Sequence, residues 1–108
     1  SESCPEGLVQ IGSGVQSKLC DLEIDQTLNG SVNPISKIFD QNWTVEIHQS
    51  NLPYTHVFTN RYSQVSKLWF AIEPQSAPAN SLQSGDDLTV LAAGQQASFE
   101  YRIILTQP

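Results

Sequence analysis

Glu73 is the residue whose surroundings first suggest chemistry. It closes the apolar run Leu68-Trp69-Phe70-Ala71-Ile72 and is followed at once by Pro74. Side chains alternate along an extended segment, so Glu73 shares a face with Trp69 and Ala71, opposite Leu68, Phe70 and Ile72. Burial at the end of such a strand would penalise the charged carboxylate, which suits a general base working near neutrality. A tryptophan on the same face would offer its flat surface to the C–H face of a sugar. The plain alternative is an edge residue that leaves the core where the chain turns at Pro74.

The other chemically able residues read more quietly. His48 and His56 each stand alone in β-rich sequence, where a structural or solvent-exposed role is expected. Asp86-Asp87 follows Ser84-Gly85 and belongs at a solvated turn rather than on a metal. Cys4 and Cys20 fit no zinc pattern, so no metal site is expected. If they pair, the short loop they close contributes about 3 kcal/mol on the chain-entropy argument. Whether they are paired or reduced depends on the compartment, which stays open between cytoplasmic and secreted. Asn29-Gly30-Ser31 and Asn42-Trp43-Thr44 fit the glycosylation sequon, a tripeptide frequent by chance. No nucleophile elbow, Walker loop or dinucleotide fingerprint is present.

The elements that must position these residues are strands. Trp43, Val45 and Ile47 alternate with Thr44, Glu46 and His48, a period of two. Phe99, Tyr101, Ile103 and Leu105 do the same near the end. Further short strands are expected at Leu8–Ile11, Lys18–Ile24, Tyr54–Thr59 and Leu88–Leu91. Turns are expected at Gly12-Ser13-Gly14, Asn29-Gly30, Asn51-Leu52-Pro53, Ser84-Gly85-Asp86 and Ala93-Gly94. No window of helical length carries an apolar stripe uninterrupted by Pro or Gly. The expected class is all-β, an antiparallel β-sandwich spanning residues 1–108 as one domain or as the C-terminal portion of a larger one.

Composition narrows the partners. The 108 residues hold 11 acidic and 5 basic side chains, for a formal charge of −6. An acidic surface without a Lys/Arg cluster disfavours nucleic acid and anionic lipid alike. No apolar run approaches the roughly 20 residues that cross a bilayer as a helix.

The segment from Leu68 to Leu82, with its Glu73-Pro74, Pro78 and Asn80, resembles the signature of the aldose 1-epimerase (galactose mutarotase-like) family. Ser84-Gly85-Asp86-Asp87-Leu88, Val90-Leu91-Ala92-Ala93-Gly94 and Phe99-Glu100-Tyr101-Arg102-Ile103 are similar to the hairpin that closes that family's domain. Trp43–Ile47 and Leu52-Pro53-Tyr54 look like the preceding strand pair, and Asp21–Asp25 faintly resembles a segment carrying a sugar-contacting aspartate.

The resemblance implies a galactose mutarotase-like β-sandwich and a role for each matched residue. Glu73 would be the general base that takes the proton from the anomeric hydroxyl of an aldohexose. Trp69 and Asp25 would contact the sugar, and no cofactor is implied. Ring opening also needs an acid at the ring oxygen. The family's acid is a histidine from farther upstream, and neither His48 nor His56 sits in a matching motif. The resemblance covers about the last third of a family domain, so activity would require residues from a companion chain or elsewhere. It also departs in detail: Ser76 stands where Thr is usual, and Ala93 where Pro is usual. Three functions are therefore open: an epimerase-like part supplying Glu73, a carbohydrate-binding module without turnover, and a small secreted sandwich used for adhesion or inhibition. A partial domain would expose a large apolar face and associate, with itself or another chain.

Overall fold

The computed structural model describes residues 7–12, 14, 16–19, 22–29, 33–59 and 70–107. Eight strands run in order: β1 (Leu8–Ile11), β2 (Ser17–Lys18), β3 (Asp25–Asn29), β4 (Ile35–Phe39), β5 (Thr44–Ser50), β6 (Tyr54–Thr59), β7 (Phe70–Gln75) and β8 (Glu100–Thr106). One short helix, α1 (Ser81–Ser84), lies between the last two. The strands form a five-stranded sheet, β2-β1-β4-β5-β8, and a three-stranded sheet, β3-β6-β7. Every pairing is antiparallel. The all-β, antiparallel class expected from the period-two pattern is what the chain adopts.

Burial follows the alternation. On the larger sheet Val9, Ser36, Ile47 and Gln49 turn inward; on the smaller sheet Thr55, Val57 and Thr59 do. Val57 is 0% exposed at the centre of β6. Several of these inward groups are polar; Ser36 Oγ has no hydrogen-bond partner among the described residues, but buried polar groups generally find one inside. Gln49 does this where the chain crosses between sheets. Its Nε2 donates to the carbonyls of Leu52 (2.9 Å) and Tyr54 (3.0 Å), and its Oε1 accepts from the Thr55 hydroxyl (3.0 Å). The crossing turn itself uses Asn51 at φ 58, a left-handed conformation that asparagine tolerates better than most residues.

Several expected elements are corrected. The strand expected at Lys18–Ile24 is not one strand: β2 ends at Lys18, and the ladder resumes only at Asp25. Ile24 instead ties into the end of β6, accepting from Thr59 N–H (2.9 Å) and donating to its hydroxyl (3.0 Å). Leu88–Leu91 has strand-forming residues but stays outside both sheets. Ile35–Phe39, not expected, forms β4 in the middle of the larger sheet. Its lone inward serine hides the apolar alternation.

The turn after α1 folds back over Tyr54. The Tyr54 phenol donates to the Asp87 carboxylate, and Asp87 holds φ 51 to reach it. That hydrogen bond, with burial and the negative charges of Asp87 and Asp86, raises the Tyr54 pKa above its usual 10.0. The folded state therefore favours the protonated phenol. Its stabilising contribution is complete below about pH 10 and is lost as pH rises through the raised value. Tyr54→Phe should accordingly lose less stability than the parent between about pH 8 and about pH 11, read as urea midpoints at each pH. Parallel pH dependence in the two proteins would contradict this.

Candidate functional site

The outward face of the three-stranded sheet gathers the polar residues that the sequence leaves scattered. On β6, His56 lies opposite Thr27 of β3 on one side and Glu73 of β7 on the other. Asp25 is two residues from Thr27 and so shares its face. The His56 ring bridges the first two strands: Nδ1 is 2.8 Å from Thr27 Oγ1, and Nε2 is 3.0 Å from Asp25 Oδ1. A carboxylate only accepts, so Nε2–H donates to Asp25; in the neutral ring Nδ1 then accepts from the Thr27 hydroxyl. The ring is thereby held edge-on between two partners, with only 17% of its side chain exposed. The Asp25 side chain is 68% exposed, and Glu73 is exposed as well.

Exposure revises one premise about Glu73. Ile72 and Phe70 pair with the inward Val57 and Thr59, whereas Glu73 pairs with the outward His56. The alternation across Phe70–Glu73 is as expected, but it sends the carboxylate to solvent rather than into the core. Asp25 and Glu73, separated by 48 positions in sequence, do share a face, with His56 between them. Trp69, Cys4 and Cys20 lie outside the described residues.

His56 is the residue that sequence reasoning passed over. It stands within Tyr54-Thr55-His56-Val57-Phe58-Thr59, where both phases mix polar and apolar residues and the outward one is not marked. What could not be read was which strands flank β6. Phe58 belongs to the same face, opposite both Asp25 and Ala71. An aromatic ring therefore accompanies two carboxylates, a histidine and a hydroxyl.

A second polar group lies on the outward face of the larger sheet. His48 Nε2 is 2.7 Å from Glu46 Oε1, and Lys37 Nζ is 3.9 Å from Glu46 Oε2. A cavity of about 310 Å³ adjoins Lys37 and Glu46. These are partly solvated pairs on neighbouring strand positions, the kind of contact that contributes about 0–1 kcal/mol. They leave no pair of carboxylates flanking a histidine, which is what distinguishes the other face.

Among the described residues no three His, Cys, Asp or Glu side chains are arranged to hold a metal ion. The two carboxylates of the Asp25–His56–Glu73 face are exposed to solvent, so they can bind a ligand by hydrogen bonds. No helix among the described residues is long and apolar enough to cross a membrane. Compared with family models, with curated proteins and with solved structures, the chain matches none.

Proposed function

We propose that this chain is a carbohydrate-binding β domain whose ligand face is the outward surface of the three-stranded sheet. The observation that supports it is the hydrogen-bonded Asp25–His56–Thr27 group with Glu73 directly across from His56. Carboxylates accept from vicinal sugar hydroxyls, and a ring held by neighbours loses little freedom on binding. Phe58 on the same face provides an apolar surface for sugar C–H groups. The acidity of the face suits a neutral aldohexose better than an anion.

Binding without turnover is the reading that the solvent-exposed carboxylates favour. A second reading, the aldose 1-epimerase-like one, gains from the same group. Glu73 would serve as the base, while the acid for the ring oxygen would come from elsewhere, because both His56 nitrogens are engaged by Asp25 and Thr27. Such a role requires further residues to enclose the sugar, in keeping with a chain that does not act alone.

Titration calorimetry with a panel of aldohexoses tests the first reading. Saturable heat with a Kd on the order of 1 mM is expected for solvent-exposed carboxylates of this kind. No heat with any member of the panel overturns it. Polarimetry on the same samples tests the second: mutarotation above the buffer rate, lost in Glu73→Gln, supports Glu73 as base. An undiminished rate in that variant removes the assignment.

A further inference from the structure

β8 is the last strand of the larger sheet, and its inward face is uncovered. Tyr101, Ile103 and Leu105 stand opposite Gln49, Ile47 and Val45 of β5, in phase with the core. Yet Ile47 is 9% exposed and Gln49 1%, whereas Ile103 is 64% exposed and Leu105 66%. Indeed every residue from 89 to 107 is exposed. The Cα radius of gyration, 15.7 Å, exceeds the roughly 13 Å of a compact domain of about this length. A groove of about 570 Å³, lined in part by Leu52, Pro74, Leu82, Leu88, Phe99 and Tyr101, continues the apolar surface toward β7.

Taking about 200 Å² for a large side chain, the exposed parts of Phe99, Tyr101, Ile103 and Leu105 come to roughly 460 Å². That lies within the ~300–600 Å² of a typical monomer's largest patch, a patch that is often functional. The outer edge of β8 is also unpaired among the described residues, with no proline or bulge to block another strand.

We infer that a second copy of this chain covers β8, the two β8 edges pairing antiparallel about a two-fold axis at Tyr101. A two-fold normal to the sheet sets residues of like phase opposite each other, so the apolar faces of both copies coincide. Charge then selects the register. Centring on Glu100 opposes two glutamates, and centring on Arg102 opposes two arginines; both are unfavourable across a ladder. Centring on Tyr101 sets Glu100 opposite Arg102 of the second copy, twice. It also sets Phe99 opposite the second copy's Ile103 and Ala97 opposite its Leu105. The result is a ten-stranded sheet across the dimer, with the Asp25–His56–Glu73 face left free on the other sheet of each copy.

Sedimentation of the full chain over a range of concentrations tests this. The expected result is a monomer–dimer equilibrium. Ile103→Lys should abolish the dimer while the far-ultraviolet spectrum stays unchanged, since Ile103 is mostly exposed. Glu100→Arg should raise the dimer dissociation constant at least about tenfold by opposing like charges. The exchange Glu100→Arg with Arg102→Glu should restore it, because the swapped strand is again complementary to itself. A monomer at every concentration, open-ended assembly, or failure of the double exchange to restore the dimer would each overturn the proposal.

Discussion

Gln49→Leu should destabilise the fold by about 3 kcal/mol, the largest effect expected of any single outwardly conservative change. The residue is 1% exposed, and its amide satisfies two carbonyls and a hydroxyl at the crossing between sheets. Leucine fills the same space but leaves the Leu52 and Tyr54 carbonyls and the Thr55 hydroxyl without these partners. Each such group costs about 1–3 kcal/mol when buried, and the gain from an added apolar side chain offsets only part of that. Against a total of about 5–15 kcal/mol this is a large fraction. The thermal midpoint should fall by roughly 15 °C, at about 4–8 °C per kcal/mol for a domain of this size. Urea and thermal unfolding followed by circular dichroism measure both quantities. A loss under about 1 kcal/mol would mean that Gln49 does not hold the two sheets together.

His56→Ala should weaken aldohexose binding by about 10- to 100-fold, the range set by losing hydrogen bonds that involve a charged group. Removing the ring frees Asp25 and Thr27 from their common anchor. Stability should change little, because the pair with Asp25 is largely solvated on the carboxylate side. His48→Ala is the matched control. It deletes a histidine hydrogen-bonded to a carboxylate on the other sheet and should leave affinity unchanged. Calorimetry on the two variants decides: equal losses, or none in His56→Ala, would contradict the assignment of the face.

The parts of this structure legible in the sequence are those governed by local pattern. Tyr54–Thr59, rich in β-branched and aromatic residues, forms a strand with those bounds. The turn at Asn51-Leu52-Pro53 and the left-handed Gly85 follow from residue chemistry alone. The opposite phases of Ile72 and Glu73 were likewise readable. Pairing was not. Ile35–Phe39 carries Ser36 and Lys37 among its apolar residues, so its central place depends on neighbours that the sequence does not name. Leu88–Leu91 has the composition of a strand but joins neither sheet.

The candidate site divides the same way. Glu73 could be singled out from its place before a proline at the end of an apolar run, and Asp25 only through the family resemblance. Their meeting across His56 is a matter of strand order, β3-β6-β7, which no short window encodes. Gln49 is a similar case, since a polar residue in an alternating run marks a phase but not the carbonyls it will satisfy. The exposed face of β8 is different again. Its apolar alternation predicts burial, and it departs from that because no strand of the smaller sheet covers it.

The most direct test of the carbohydrate-binding face is a backbone amide chemical-shift titration of the full chain with the best-bound aldohexose. Saturable shifts should cluster at Asp25–Leu28, Thr55–Phe58 and Ala71–Glu73, the three strand segments that share the Asp25–His56–Glu73 face. An absence of saturable shifts, or a cluster around Lys37, Glu46 and His48 on the other sheet, would contradict it.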